Sequence, residues 1–311
     1  MNTLRAAVDE YLEMRHALGY KLKDAAAALP TFISFLEKHG ESHITMKLAL
    51  EWSVLPSDVN PCGLAARRLS FVRGFARYRS ATDPRTEVPP CGLLPWGNRR
   101  AKPYPYIDEE IRGLMDAALR LPTKHGLRPW TYYCLFGLLP VTGLRISEAL
   151  SLQRPDVDLQ EGILTIRHTK FGKFRLVPVH ASTKQVLAEY AQRRDRILCR
   201  QTSPFFFVSD RGRPLAQRTV RQTFHKVSRQ IGLRGAKQSH GPRLHDARHY
   251  FARQTLVSWY RSGRDVDRCV PILATYLGHV GVTNTYWYLS LCPELMGLSA
   301  ARLERRWEGQ E

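Results

Sequence analysis

No run of 18 or more apolar residues occurs in the chain, which argues against a membrane-spanning helix. Residues 1–20 are interrupted by Asp9, Glu10 and Glu13, so the apolar stretch of a secretory signal is missing as well. Paired cysteines are also absent. The six cysteines are scattered over 311 residues, and no two are spaced as C-x-x-C. The count does not imply a disulfide framework in a chain of this length without a secretory signal, and no Cys/His cluster has zinc-finger spacing; free thiols, no structural metal and a cytoplasmic setting are expected. Internal repeats and low-complexity tracts are lacking, which removes solenoids from consideration. Acidic residues are scarce: 28 against 47 basic ones, for a net charge of +19. Such a surplus fits a polyanionic partner, nucleic acid being the commonest.

The charge is unevenly placed. Residues 1–100 carry 14 basic and 10 acidic side chains, and the remainder carries 33 and 18, so the second part holds +15 of the surplus. Apolar spacing predicts helices throughout the first part. Leu4, Val8, Tyr11, Leu12 and Leu18 form one stripe ending at Gly19; Asp24 is a candidate cap for a second helix, and Thr45 for a third. A fourth helix after Pro61 combines Leu69, Val72 and Phe75 with Arg67, Arg68, Arg73 and Arg77. These arginines are either a solvated face or a DNA-facing one. Six prolines between residues 82 and 106, with Arg99, Arg100 and Lys102, mark a basic linker. The expected organisation is therefore a helical domain over 1–82, a linker over 83–106, and a larger domain over 107–311. In that larger domain helices flank a short β region, with strands near Ile163–Ile166 and Phe174–Val179. The fold class is mainly α with a small antiparallel β-sheet. Eight basic and no acidic residues lie from Arg211 to Lys237, and Arg218 and Arg221 there join the candidate DNA contacts.

Several short patterns carry chemistry that suits phosphodiester transfer. That reaction needs a nucleophile, cationic donors for the non-bridging oxygens, and an acid for the leaving oxygen. Thr142-Gly143-Leu144-Arg145-Ile146-Ser147-Glu148-Ala149-Leu150 puts Arg145 at a helix start with Glu148 on the same face. By itself this is also what a surface ion pair looks like. Leu244-His245-Asp246-Ala247-Arg248-His249 sets His245 and Arg248 on one helix face, and arginine can grip two phosphate oxygens at once. Leu277-Gly278-His279 follows an apolar helix, and Tyr288 comes nine residues later in Thr285-Tyr286-Trp287-Tyr288, a run that reads equally as core. Lys170 and Lys173 lie in the turn between the two strands, where a lysine is solvated or serves as an acid.

Together, in this order, these patterns resemble the tyrosine recombinases, the phage integrase family. The likeness spans about residues 107–290 and includes Thr-Lys170-Phe-Gly-Lys173-Phe-Arg-Leu-Val-Pro, which is similar to the family's lysine-bearing hairpin. The resemblance implies an N-terminal core-binding domain that clamps duplex DNA and a C-terminal catalytic domain. It implies that Tyr288 attacks the scissile phosphate to give a 3′-phosphotyrosine, that Arg145 and Arg248 hold the non-bridging oxygens, and that Lys170 protonates the 5′ oxygen. His245 and His279 would assist with phosphate and proton, and Glu148 would support Arg145. It implies no metal, no ATP and no other cofactor. The expected partners are double-stranded DNA and further copies of the chain: monomer or dimer when free, a homo-tetramer in synapsis, and possible other recombinase subunits. Residues 291–311 form the C-terminal segment, in which Leu295, Leu298 and Leu303 would dock on a neighbour or pack on their own chain.

Two other readings share part of this pattern. A DNA-binding architectural protein without catalysis would have no need of the spaced tyrosine and lysine. A type IB topoisomerase uses the same chemistry without a specific site, and the additional N-terminal helices argue against it. No arm-binding segment is evident ahead of the first helix, so a simple core-site enzyme of a mobile element, acting at the nucleoid, is the expectation.

Overall fold

The computed structural model describes residues 3–55, 63–96, 102–167, 174–199, 203–235, 241–279, 281–289 and 293–309. Two compact units emerge, divided between Ala101 and Lys102.

Unit 1 consists of α1 (Leu4–Ala17), α2 (Lys23–Lys38), α3 (Met46–Val54) and α4 (Leu64–Arg79). Thr3 and Thr45 cap α1 and α3 through their hydroxyls, which satisfies otherwise free N-terminal amides. Asp24 is not a cap: α2 begins one residue earlier, and Asp24 instead pairs with Arg67 of α4. The buried faces of all four helices meet in one core containing Val8, Leu29, Phe32, Leu36, Trp52, Leu69, Val72 and Phe75. Residues 83–96 of the proline-rich stretch have no regular structure, yet they lie against this unit. Val88 and Leu94 pack on the core, the Glu87 amide donates to the Ile44 carbonyl at 2.8 Å, and Asp83 is buried while bonding Arg85.

Unit 2 contains α5 (Asp108–Leu119), α6 (Arg128–Thr142), α7 (Ile146–Ser151), α8 (Ala181–Leu198), α9 (Gln217–Gln230), α10 (Asp246–Arg261), α11 (Val266–Leu277), α12 (Thr283–Leu289) and α13 (Pro293–Trp307). Its sheet has the order β1 (Val157–Asp158), β2 (Ile163–Ile166), β3 (Arg175–Pro178), all antiparallel. The two-residue β1 is too short to show an alternating pattern, which is why spacing did not reveal it. Leu164 pairs with Val177, and both are buried under the helices, while Leu176 faces out.

α6 runs through the middle of the unit with most of its side chains buried, including Thr131, Tyr132, Leu135, Leu138 and Leu139. Its N-terminus is closed from far along the chain: the Asp210 carboxylate accepts from the Lys124, Leu127 and Arg128 amides and from the Thr123 hydroxyl. That carboxylate stands where the helix dipole is positive, so both hydrogen bonding and charge favour it. α6 ends at Gly143, which adopts φ 61°. A Cβ there would sit 2.6 Å from Phe251 Cδ1 and 2.8 Å from Leu277 Cδ2. The helix end is therefore pressed against α10 and α11, and glycine meets both the backbone and the space requirement.

α13 packs against α10 of the same chain. Leu295 is buried and Leu298 joins its cluster, whereas Leu303 and Trp307 remain exposed. The Ser299 hydroxyl donates to the Tyr260 hydroxyl at 2.9 Å, and Arg261 pairs with Glu294 at 2.6 Å.

Gly143→Ala should destabilise unit 2 by on the order of 2–4 kcal/mol, the sum of left-handed strain and overpacking. Urea unfolding followed by tryptophan fluorescence measures it, and a loss within the error of the wild type would contradict this packing account.

Candidate active site

Arg145 is the N-cap residue of α7, placed there because Gly143 turns the chain out of α6. Its amide and its Nη1 donate to the two oxygens of Glu148, at 2.9 and 2.7 Å, and its Nη2 donates to the Gly278 carbonyl at 3.2 Å. About a third of the Arg145 side chain stays exposed, whereas Glu148 is buried. Burial alone would push the Glu148 carboxyl up. The hydrogen bonds and charge of Arg175, joined by the Arg145 donors, outweigh it and hold the group at about 2.

Arg248 is 1% exposed, the largest fully buried side chain described. Its Nη1 donates to the Gly143 carbonyl at 2.8 Å and its Nη2 to the Leu277 carbonyl, so it ties the ends of α6 and α11 to α10. Burial, then the nearby charge of Arg145, lower it to about 10, and it remains a cation at neutral pH. The side chain of Tyr288, itself 5% exposed, lies close enough to this guanidinium to act on its charge. Tyr286, the neighbouring alternative, is 44% exposed. The helical twist of α12 turns these two tyrosines to different sides.

Three histidines surround the tyrosine. His279 follows the C-cap of α11, Gly278 at φ 66°. Its ring stacks on Tyr288 with centroids 5.9 Å apart, and its Nδ1 meets the hydroxyl of fully buried Thr285 at 2.8 Å. His249 contacts the rings of Tyr288, His245 and Trp287 at centroid distances of 5.0, 5.2 and 5.5 Å. Its Nδ1 is buried without a hydrogen-bond partner. Burial lowers His279 and His249 to about 4; the arginines Arg248, Arg145 and Arg175 add to the shift at His279, and His245 adds to it at His249. His245, at the N-cap of α10, keeps solvent contact. The protein crowding its other side, and Arg248 foremost among the nearby charges, still lower it, with Asp246 acting the other way. The helix begins at Asp246; just before it the buried Asp246 carboxylate takes the Arg243 amide and guanidinium, forming a turn.

Five of the six catalytic candidates thus gather in one cluster: Arg145, His245, Arg248, His279 and Tyr288. Lys170 lies outside the described residues, as does Lys173. Two further members were not picked out by spacing. Arg175, at the start of β3, sits among apolar strand residues whose alternation drew attention instead. His249 directly follows Arg248 and looked like one more residue of a basic turn. Of the candidate DNA contacts, Arg67 pairs with Asp24, Arg68 lies 3.9 Å above the Trp52 ring, and Arg73 donates to the Pro89 and Pro90 carbonyls at 2.7 and 2.8 Å. Arg77, Arg218 and Arg221 are exposed. An apolar groove of about 300 Å³ between α5, α6 and α8, lined in part by Met115, Cys134 and Val186, contains none of the catalytic candidates. Among the described residues, no group of three or more His, Cys, Asp or Glu is suited to hold a metal ion, and no helix is long and apolar enough to cross a membrane.

Comparison with known proteins places the chain in a family. A family model, that of the phage integrase family, matches residues 107–294. A Sinorhizobium fredii protein named as an integrase/recombinase, y4rB, is 54% identical over 99% of both chains. The tyrosine recombinase XerC of Chlamydia caviae is 27% identical over 93% of this chain and 94% of its own. Among solved structures, a lambda integrase tetramer bound to a Holliday junction aligns with a TM-score of 0.64 at 19% identity, covering 92% of this chain and 77% of that one. The Tn1549 transposon integrase in complex with a circular intermediate DNA aligns at 0.63 and 15% identity, covering 96% and 98%. The chain belongs to the phage integrase family of tyrosine recombinases.

The depressed histidines have a measurable consequence. An unfolded histidine titrates near 6.5. Between that value and about 4 the unfolded chain binds more protons than the folded one at His249 and His279. Their contribution to stability is therefore complete above pH 6.5, falls as pH drops towards 4, and levels off below. NMR titration of the DNA-free protein should find both rings with midpoints near 4. Midpoints at or above the ordinary histidine value would contradict the buried, cationic setting described for them.

Proposed function

We propose that this chain is a site-specific DNA recombinase, of the kind carried by mobile genetic elements, that cleaves and rejoins strands through a 3′-phosphotyrosine formed on Tyr288. The observation that carries the reading is the Tyr288 side chain lying beside the buried Arg248 guanidinium, within the same cluster as Arg145.

In this reading the scissile phosphate enters beside Arg145 and Arg248, whose planar forks suit paired phosphate oxygens. Part of Arg145 is open to solvent and can turn to an entering anion while Glu148 holds its base. The Tyr288 oxygen forms a bond to phosphorus, the bond from phosphorus to the 5′ oxygen breaks, and the tyrosine's proton passes to the histidine cluster. The departing 5′ oxygen takes a proton from Lys170. The developing charge on the non-bridging oxygens meets fixed cations in a site with little water, where electrostatic stabilisation is strongest. Rejoining reverses these steps with a different 5′ hydroxyl, so the phosphotyrosine bond conserves the energy of the broken strand. Neutral histidines in the DNA-free state are suited to accepting protons, and an incoming phosphate would raise their basicity.

Double-stranded DNA is the proposed partner, and a homo-tetramer the proposed synaptic form. The basic surplus of unit 2, the structural neighbours bound to DNA, and the lambda integrase tetramer on a Holliday junction support both. Unit 1 is proposed to clamp the DNA from a second side, and the cytoplasmic nucleoid is the proposed location. Arg218 and Arg221 on α9, with Arg77 on α4, are the proposed phosphate contacts that remain exposed.

The test uses nicked duplexes with a randomised central sequence, from which covalent protein–DNA adducts are recovered and sequenced to give the cleavage site. Tyr288→Phe should lose the adduct entirely while its affinity for the selected site stays within about threefold of the wild type, since one hydroxyl is a small part of a charge-dominated interface. Tyr286→Phe should keep the adduct, and Arg145→Ala should slow its formation by about 10²–10³-fold. An adduct that persists in Tyr288→Phe would overturn the nucleophile assignment.

A further inference from the structure

Arg175 lies outside the set just described, yet its contacts lead into it. Its Nη1 and Nη2 donate to Glu148 Oε1 and Oε2, at 3.1 and 2.7 Å. Each Glu148 oxygen also accepts from Arg145, one from the guanidinium and the other from the backbone amide. The carboxylate is therefore gripped along its full width by Arg175 and presents its remaining lone pairs to Arg145. While Arg175 stays in place, Glu148 has no freedom to swing, and the direction in which Arg145 points is set accordingly. The Gly278 backbone closes the other side. A Cβ on that residue would be 3.0 Å from Arg175 Nη1 and 3.7 Å from Arg145 Nη1, so both guanidiniums touch the same turn.

Two features set this apart from an ordinary ion pair. Glu148 needs a single cation for neutrality, yet it receives two, and Arg248 adds a third positive group close enough for Arg145 to lower it. Without an anion the site holds an unbalanced surplus of charge. In addition, the Arg175 Nε, in a side chain only 10% exposed, is buried with no hydrogen-bond partner among the described residues. A residue serving stability alone has little reason to accept both costs. Arg175 also begins β3, the strand that follows the segment containing Lys170.

We propose that Arg175 is a positioning residue that aims Arg145 at the scissile phosphate through Glu148, and so couples strand β3 to the phosphate clamp. Strand β3 carries Arg175, Arg175 fixes Glu148, and Glu148 fixes Arg145. The inference rests on the recombinase reading given above.

Arg175→Lys tests it, because lysine keeps the charge and loses the two-pronged grip. Single-turnover cleavage of the selected nicked duplex is compared with cleavage of the same duplex carrying each methylphosphonate diastereomer at the scissile position. A methylphosphonate lacks one non-bridging oxygen, and in one diastereomer this is the oxygen that Arg145 serves. Arg175→Lys should cleave the native phosphate about 10- to 100-fold more slowly than wild type, the scale of loss expected for a misplaced catalytic group. The deficit should shrink to within about threefold on one methylphosphonate diastereomer, where the misaimed group has no oxygen to stabilise. Each comparison is made within one protein preparation, so a reduced folded fraction lowers all three rates alike and leaves their ratios unchanged. Equal loss on all three substrates, or no loss on any, would overturn the proposal. A wild-type chain that forms no adduct in the same assay would instead remove the recombinase reading, and this inference with it.

Discussion

A guanidinium with 1% exposure stays charged in a protein interior only when its donors are satisfied, and for Arg248 the acceptors are the backbone carbonyls of Gly143 and Leu277. Both carbonyls sit at helix C-termini, where the helix dipole is negative and free acceptors await partners. One side chain on α10 thereby fixes the ends of α6 and α11. The residues just beyond those ends are Arg145, in the turn into α7, and His279, in the turn towards α12. Gly143 and Gly278 make the arrangement possible, because left-handed turns let each helix stop abruptly and release the chain into the site. The chemistry is thus assembled from helix termini around a buried cation.

The electrostatic outcome is a cluster biased towards an anion. Arg145, Arg175 and Arg248 surround a single buried carboxylate, and the three nearby histidines are held neutral by burial and by those same cations. Such a site is costly without a ligand and gains most from one carrying delocalised negative charge. A phosphodiester passing through a five-coordinate transition state has that character, with charge spread over its non-bridging oxygens. Glu148 and Gly278 hold the Arg145 guanidinium, and Thr285 holds the His279 ring.

Much of this was legible from spacing. The hydrophobic period pointed to helices in both units, and α11 ends at Leu277, just before the Gly278 that was read as following an apolar helix. Arg145 with Glu148, and His245 with Arg248, were readable because residues three apart share a helix face. Tyr288 was separable from Tyr286 by its distance from Gly278-His279, and the structure buries the first and exposes the second. Other features depended on contacts remote in sequence. Asp210 closes the start of α6 from more than eighty residues away. Arg67, Arg68 and Arg73 looked like one basic face, yet each is engaged within unit 1, by Asp24, the Trp52 ring and the Pro89 and Pro90 carbonyls.

The sequence by itself determined the family, the periodicity of the helices and the identity of the clustered side chains, since these are written in local spacing and in residue chemistry. Only the tertiary structure decided that Arg175 grips Glu148, that His249 lies against Tyr288, and that the C-terminal helix packs on α10 of its own chain. The physical reason is the same in each case. These contacts join elements far apart along the chain, and their partners become neighbours only after the helices have packed.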